Sequence, residues 1–474
     1  MTEIFKARIP YESMDPLTIG STDDDSKIYR DELELEFPRK NLLAAIYPEE
    51  PRAVPDTTAE ARRAFSQPVA GPPLAQLLDG GRSITVVIDN QFRPTPAAKI
   101  LPAVLDEIER AGTTKATVIT GNGKVFPLSA TDIEQKVGRE NLARMERLGI
   151  PLLQNDPLNY DAYTYLGITS RGTPAYVHKS VTENEVVLAI GQAQANHWGY
   201  GGGGKLVMPG VCADATIEAN HANFTMSPQT HYGALAGPMR SDIDEIATMS
   251  GLTATLDVLL DTSGRVFEMS FGAHPNSHRR AIERFNEVYA FKNPVPEHGP
   301  ADIAICGVFA PTDHLFFHTG WGCMSADYVV RDGGTIIYTS PSPGVQCEAG
   351  DFPGLALLDL MKPYMPPTQE SYERMLRDIH ARHIQMWAGC IWAPIYEVML
   401  KKHLTLVTLE ENLDMAADIG IDATTSLETA FAAAMRRHGP DAKVVILPYA
   451  RYQLPDNLVR LDAQPLRFPQ EAGR

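Results

Sequence analysis

The sequence predicts an α/β protein with two α/β domains, mainly parallel sheets and an interdomain active-site cleft. Three observations predict this class. Short apolar runs alternate with amphipathic helical segments from Ser83 onward, as in a parallel sheet covered by helices on both faces. The alternation stops at a proline-rich segment, residues 292–300, and then restarts. The 474 residues also exceed the length of one ordinary domain, about 100–200 residues.

The first domain is predicted over residues 1–291. Its lead-in, residues 1 to about 80, contains one edge strand and one short helix, ELELEF and TTAEARRAFSQPV. The regular part then follows as strand SITVVIDN, helix AAKILPAVLDEIERAG, strand KATVITG and helix SATDIEQKVG. Ser129 or Thr131 is the expected N-cap of that last helix. A hairpin around Ser263-Gly264 and the helix SHRRAIERFNEVYAF close the domain.

The second domain is predicted over residues 301–474, after a semi-rigid linker at 292–300. Its strands are expected at ADIAICGVF, GTIIYTSPSP, LTLVTL and AKVVILPY, and its helices at FPGLALLDLM and TSLETAFAAAMRRHG. Ligands of open α/β sheets gather at the carboxyl ends of strands and in clefts between domains. The loops that follow strands are therefore where functional residues are expected.

Charge and cysteine content argue against several classes. The chain has 42 Lys and Arg against 59 Asp and Glu, a net charge of −17, so neither nucleic acid nor an anionic membrane is an expected partner. Five cysteines, odd in number and without a C-x-x-C motif, argue against a disulfide framework and fit a reducing cytoplasm. The sequence has neither a signal-peptide pattern at its start nor an apolar run of about 18 residues. A cytoplasmic location is expected.

A glycine-rich loop follows the apolar run EVVLAIGQ. The spacing from Gly199 to Lys205 is G-x-x-x-x-G-K, which fits a phosphate-binding loop. A nucleotide-binding loop of this type needs Ser or Thr after the lysine and then a helix, whereas Leu206 follows here and Pro209-Gly210 interrupts a helix. The loop therefore predicts a site for an anion and a reactive lysine rather than for ATP.

Three loops carry further candidate residues. His221 follows the glycine-rich loop and is a candidate metal ligand, and Arg93 in DNQFRPTP is a candidate phosphate ligand. His314, His318 and Trp321 follow the first strand of the second domain, where a histidine can act as acid or base. From the spacing alone, structural roles stay open for all of them, because lone histidines and glycine turns commonly serve packing.

The chain resembles the nickel-dependent lactate racemase family from about Ser83 to Tyr449. The strings that carry the resemblance are RPTP, GYGGGGKLVMPGVCADATIEANH, MSP and DGGTIIY, in this order. The resemblance implies a nickel pincer nucleotide, pyridinium-3,5-bisthiocarboxylic acid mononucleotide, joined covalently to Lys205. His221 would be the protein ligand of a square-planar nickel ion. The other residues that would bind the cofactor are Asn90, Arg93, Gly201, Gly202, Gly203 and Gly204, of which Arg93 and the glycines would hold its phosphate.

The sequence departs from the family at the substrate half of the site. Two histidines that act as bases in the family fall at Gly123 and Ala195. The family's substrate-contacting glutamine and lysine fall at His318 and Trp321. We expect His197 and His318 to replace the missing bases. Tryptophan in place of a lysine favours a larger or less charged substrate, either aryl or sugar-like.

The resulting expectation is an isomerase, a racemase or epimerase of an α-hydroxy acid, acting by reversible hydride transfer to the cofactor. Its partners would be a small-molecule substrate and the proteins that synthesise the cofactor. Two alternatives stay open. One is a protein that binds the pincer cofactor without racemase activity. The other, a magnesium-dependent nucleotide phosphohydrolase, rests only on the imperfect phosphate-binding loop.

Overall fold

Two six-stranded sheets carry the fold. The computed structural model describes residues 3–11, 31–227, 230–308, 316–342, 359, 361–384 and 386–461. Both sheets are mainly parallel and are flanked by helices, so the predicted α/β class is confirmed. The predicted helix FPGLALLDLM lies almost entirely outside the described residues.

The first sheet has the strand order β13-β12-β9-β4-β5-β6. Its strands are β4 (Ile84–Asp89), β5 (Ala116–Gly121), β6 (Leu152–Gln154), β9 (Val186–Gln192), β12 (Ala254–Leu260) and β13 (Val266–Ala273). All neighbours are parallel except β12 and β13, which form the predicted antiparallel hairpin. The central strands β4 and β9 are buried along their whole length, because helices cover both faces.

The second sheet has the order β18-β17-β16-β15-β19-β3 and is parallel throughout. Its strands are β3 (Leu42–Ala45), β15 (Ala301–Gly307), β16 (Val330–Thr339), β17 (His403–Val407), β18 (Asp422–Thr424) and β19 (Val444–Leu447). The predicted strands of the second domain are thus present and adjacent.

One assignment within the predicted first domain differs. Strand β3, from the N-terminal lead-in, pairs with β19 of the second sheet, because it covers a strand edge that would otherwise expose unpaired backbone groups. The hairpin of β1 (Ile4–Pro10) and β2 (Glu32–Pro38) also packs on this sheet, with the ring of Phe37 5.2 Å from that of Phe431. The division at residues 292–300 stays a prediction.

The remaining strands form short pairs: β7 (Tyr163–Ile168) with β8 (Pro174–His178), β10 (Ala195–Asn196) with β11 (Gly199–Tyr200), and β14 (Ala290–Phe291) with β20 (Leu454–Pro455). The α-helices of the described residues are Thr57–Ser66, Leu74–Leu77, Ala97–Ala111, Ala130–Val137, Arg139–Leu148, Lys179–Thr182, Asp214–Phe224, Pro238–Met249, Asn276–Tyr289, Val295–His298, Phe316–Asp327, Gln369–His380, Met386–Lys401, Leu413–Asp418, Leu427–His438 and Asp456–Leu461.

Local sequence signals explain the helix ends. Ser129 caps helix Ala130–Val137 in a capping box with Asp132, as predicted. Helix Ala97–Ala111 ends at Gly112, whose φ of +67° a residue with a side chain rarely adopts. No helix of the described chain is both long and apolar enough to cross a bilayer.

Candidate functional site

A cavity of about 220 Å³ opens at the carboxyl ends of three adjacent parallel strands, β9, β4 and β5. This is the edge at which open α/β sheets bind ligands. Helix Phe316–Asp327, which follows β15 of the second sheet, adds one wall through Trp321. The residues used below that line the cavity are Asp89, Asn90, Arg93, Asn122, Gly123, Lys124, Gln192, Gln194, Trp198, Gly201, Gly202, Lys205, His221 and Trp321.

Lys205 places its amine inside this cavity. Its Nζ lies 4.6 Å from the centroid of the Trp198 ring, and no carboxylate of the described residues forms an ion pair with it. Burial lowers the pKa of Lys205 well below its ordinary value, and the positive charges of Arg93 and Arg240 lower it further. The lowered pKa favours the neutral, nucleophilic form of the amine.

The glycine-rich loop has two faces. Gly201 and Gly202 line the cavity, as expected for ligand-binding residues. Gly203 instead lies against His278, and a Cβ built on it would be 2.5 Å from Cγ of that imidazole. A Cβ on Gly204 would be 3.0 Å from Asp244 Oδ1. Packing alone therefore requires glycine at Gly203 and Gly204, and the contact of all four glycines with a cofactor stays a prediction.

The buried pair of Asp257 and His278 holds the glycine-rich loop in place. Nδ1 of His278 lies 2.7 Å from Asp257 Oδ1, and the same oxygen accepts a hydrogen bond of 2.9 Å from the backbone N–H of Gly203. Thr255 donates to the other oxygen of Asp257 over 2.7 Å. The carboxylate thus ties strand β12 to the glycine-rich loop and sets the direction of Lys205.

His221 presents one nitrogen of its ring to the cavity wall. It lies in helix Asp214–Phe224, and its Nδ1 is 3.1 Å from the carbonyl oxygen of Ile217. A carbonyl accepts only, so Nδ1 carries the proton and Nε2 keeps its lone pair. Burial and the charge of Lys205 lower the pKa of His221 to about 3. The ring is thus the neutral imidazole that metal ions require.

Arg93 is held by a loop that a buried lysine stabilises. Nζ of Lys136 lies 2.6 Å from Asp89 Oδ1 and donates to the carbonyl oxygens of Arg93 and Thr95 over 2.8 and 3.1 Å. Asn90 also shapes the turn, because its Oδ1 accepts from the backbone N–H of Phe92 over 3.1 Å. Lys136 therefore holds the loop that presents Arg93 to the cavity.

Three amide side chains line the cavity, those of Asn122, Gln192 and Gln194. Asn122 Nδ2 donates to the carbonyl oxygen of Phe126 over 3.1 Å, and Gln192 Nε2 donates to Tyr452 Oη over 2.6 Å. The oxygens of the three amides are buried and accept from no group of the described residues. The cavity is therefore lined partly by polar groups.

His197 lies behind the cavity wall. Its ring is 3.8 Å from that of Trp198 and 4.9 Å from that of Trp321, and neither of its nitrogens has a hydrogen-bond partner among the described residues. Burial and the charges of Lys205 and Arg451 lower the pKa of His197 well below its ordinary value. The imidazole is neutral, as a base must be, but it does not line the cavity.

The structure also locates the positions where the family histidines are missing. Gly123 lines the cavity, whereas Ala195 is buried in β10 and its carbonyl oxygen accepts from Arg451 over 3.0 Å. His318 lies in helix Phe316–Asp327, but its side chain and all of His314 are outside the described part of the chain.

The loop around Lys205 does not have the form of a nucleotide-binding loop. Gly203–Leu206 forms a turn of 3₁₀-helix, and the next α-helix begins only at Asp214. The helix N-terminus that binds phosphate in such loops therefore does not follow Lys205.

Several site residues were not found by sequence reasoning. One sequence signal could have found the pair of Asp257 and His278. Asp257 is a carboxylate within the apolar strand TLDVLL, and such a position indicates a buried hydrogen-bonded acid. Lys136 resembles an ordinary basic residue at a helix end, and Arg451 follows an apolar strand without a motif. These contacts join parts of the chain that no local pattern relates.

Comparisons with known proteins agree with this architecture. Residues 29–233 match the family described as "Lactate racemase N-terminal domain". The chain is 23% identical to the lactate racemase of Thermoanaerobacterium thermosaccharolyticum over 394 residues, which cover 82% of this chain and 88% of the relative. It is 23% identical to the lactate racemase of Lactiplantibacillus plantarum over 392 residues, or 81% and 88% of the two chains.

Two solved structures share the fold. The lactate racemase apoprotein from T. thermosaccharolyticum superposes with a TM-score of 0.79 at 20% identity, covering 95% of this chain and 100% of that one. A structural-genomics target from Thermotoga maritima superposes with a TM-score of 0.60 at 14% identity, covering 86% and 99%.

Fold and site together define a class, an α/β protein with two sheets that holds a lysine and a neutral histidine in a cavity at the strand ends. Within that class, residues 29–233 match the lactate racemase N-terminal domain, and the predicted resemblance to the lactate racemases is confirmed.

Proposed function

We propose that this protein is a racemase or epimerase of an α-hydroxy acid that uses a nickel pincer nucleotide anchored at Lys205. The observation that carries the proposal is the cavity that Lys205 and His221 both line, with the pKa of each side chain lowered mainly by burial. A reactive amine and a metal-binding imidazole thus face one space. Curated relatives over most of the chain length are named lactate racemases.

The residues present fit this cofactor. The described residues contain no cluster of three or more His, Cys, Asp and Glu side chains that could hold a metal ion by themselves. His221 would therefore be a single protein ligand, and the cofactor would supply the others. Lys205 would form the covalent attachment. Arg93, Gly201 and Gly202 would bind the phosphate, since a guanidinium and close backbone both suit that group.

When bound, the cofactor supplies a reversible acceptor for the hydride on the α-carbon of the substrate. The chain itself must orient the substrate, exclude water and accept the proton of its hydroxyl group. Trp198 and Trp321 cover the cavity on two sides and exclude water. We propose His197 and His318 as the bases. Burial and neighbouring cations keep His197 neutral, which is the form that can accept a proton, but they also weaken its basicity.

We further propose that the substrate is larger than lactate and carries several hydroxyl groups. Asn122, Gln192 and Gln194 line the cavity, and their amide groups can donate to and accept from hydroxyl groups. An aryl group would offer these amides no hydrogen bonds. A sugar-like α-hydroxy acid therefore fits the wall better than an aryl one.

One observation favours a second candidate function, a pincer-binding protein without racemase activity. Both family bases are replaced, and His197 lies behind the cavity wall rather than in it. The cofactor-binding half of the site would then act alone. The nucleotide phosphohydrolase alternative loses its support, because the loop lacks the helix that follows Lys205 in such enzymes.

Stereochemical analysis of the substrate tests the proposal. Protein produced in cells that make the pincer cofactor is incubated with single stereoisomers of sugar-derived and simple α-hydroxy acids, and the α-carbon configuration is measured by chiral chromatography. We expect inversion of a polyhydroxy acid that is lost in Lys205→Met. Protein that carries the cofactor but inverts none of them supports the second candidate instead.

A further inference from the structure

Arg451 is a buried cation at the second-sheet side of the site. It follows strand β19, at the carboxyl edge of the second sheet, and only 1% of its surface is exposed. Its guanidinium carbon lies 3.8 Å from the centroid of the Trp321 ring, and Nη1 donates to the carbonyl oxygen of Ala195 over 3.0 Å. Arg451 therefore contacts two of the positions at which the chain departs from the family, Ala195 and Trp321.

Arg451 has no acidic partner in the described part of the chain. No carboxylate there forms an ion pair with it, and its Nε has no hydrogen-bond partner among the same residues. Burial, helped by the charge of Arg93, lowers the pKa of Arg451 to about 10, while Tyr232 and Tyr452 oppose this shift. The side chain remains protonated at neutral pH. An uncompensated buried charge is costly unless a counter-ion enters the site.

We propose that Arg451 is the residue that selects the carboxylate of the substrate. This inference rests on the proposed function. The resemblance puts a lysine at position 321, and the charge that this lysine would carry is supplied here from behind the indole of Trp321. Arg451 does not line the cavity. It acts as a positioning and specificity residue, because it holds the Trp321 ring and creates a positive potential at that wall.

The phosphate of a cofactor is the other anion that could balance this charge. Arg93, Gly201 and Gly202 line the cavity and would already provide the proposed phosphate site, whereas Arg451 packs against Trp321 and does not line the cavity. The two sources differ in a measurable way. If a substrate carboxylate is the counter-ion, replacing Arg451 should weaken the binding of organic acids. If a phosphate is the counter-ion, the replacement should weaken the binding of inorganic phosphate.

Calorimetric titration of the isolated full-length protein distinguishes these cases. The probes are gluconate, the neutral polyol sorbitol and inorganic phosphate. We expect Arg451→Met to weaken gluconate binding about tenfold or more, as loss of a charged partner does, while leaving the binding of sorbitol and phosphate unchanged. Arg451→Lys should restore most of the gluconate affinity. Arg144→Met, at an arginine bonded to Asp106 and Glu109 away from the cavity, should change nothing.

Three results would overturn the inference: equal binding of gluconate and sorbitol by the unmodified protein, no binding of either, or a loss confined to phosphate in the Met variant. If Arg451→Met does not fold, Arg451→Gln decides the matter, because it keeps a donor for Ala195 without the charge. The titration needs neither bound cofactor nor turnover. Failure of the proposed function therefore leaves the preference for carboxylate measurable, and active enzyme with unchanged gluconate affinity refutes the inference alone.

Discussion

The imidazole of His278 lies directly against the backbone of Gly203. A Cβ on Gly203 would be 2.5 Å from Cγ and 2.6 Å from Cδ2 of the ring, and φ of this glycine is +56°. Two independent constraints, steric and conformational, therefore exclude a side chain here. Part of the glycine run is therefore explained by its packing against His278 and not by ligand binding alone.

This contact predicts that Gly203→Ala destabilises the protein strongly. The methyl group must displace a buried ring that is bonded to Asp257, so we expect a loss of about 3 kcal/mol or more in the free energy of unfolding. Gly112→Ala is the matched control, because Gly112 has a similar φ of +67° but open space at its Cβ. It should lose only about 1 kcal/mol. Urea unfolding of both variants measures the difference, and equal losses would contradict the steric account.

Asp257→Asn should destabilise the protein by about 2–4 kcal/mol at pH 7, because it removes a buried carboxylate with charged hydrogen bonds. Burial acts to raise the pKa of Asp257, but His278, Thr255 and Gly203 lower it to a net value below the ordinary one. The stabilisation is therefore present above about pH 4 and is lost as the pH falls through the folded-state pKa. Urea unfolding from pH 7 to pH 3 should show that the difference in the free energy of unfolding between Asp257→Asn and wild type becomes smaller. Asp441→Asn, at an exposed carboxylate, should show no such difference.

Lys205→Met should stabilise the cofactor-free protein by about 1–3 kcal/mol, since it removes a buried amine that has no acidic partner. The pKa of Lys205 is lowered in the folded state, so the unfolded chain binds more protons and the stability of wild type rises with pH up to the ordinary lysine value. Urea unfolding should therefore show a smaller advantage of the variant at pH 9.5 than at pH 7. Lys136→Met should have the opposite sign, because it leaves Asp89 buried without its partner. If Lys205→Met and Lys136→Met changed the free energy of unfolding in the same direction, the buried lysines would not differ as described.

The sequence predicted the sheets and most helices because their signals are local. Alternating apolar runs marked β4, β5 and β9, and Ser129 marked a helix start. The fixed spacing of glycines, Lys205 and His221 marked the part of the cavity that one continuous segment builds.

The remaining contacts could not be read from local patterns, because they join distant segments. Arg451 reaches Ala195 across 256 positions, and Asp257 reaches the backbone of Gly203 across 54. Strand β3 likewise crosses from the lead-in to the edge of the second sheet. Only the folded topology brings these groups together.

His221→Ala should separate metal binding from cofactor attachment. We expect the protein to keep the added mononucleotide mass on Lys205 but to lose most of its nickel, because the substitution removes the protein ligand and leaves the anchor. Intact mass and metal analysis of the same sample measure both quantities. His231→Ala, at a histidine that does not line the cavity, should keep both. Full nickel content in His221→Ala would show that the ligand is another residue.

The most direct test of the central claim is the intact mass and nickel content of protein produced in cells that synthesise the pincer cofactor. Lys205→Met serves as the negative variant, and Lys124→Met as a control at a second lysine of the same cavity. The account predicts an added mononucleotide mass that maps to Lys205, with nickel, in wild type and Lys124→Met but not in Lys205→Met. Unmodified, nickel-free wild-type protein would contradict it.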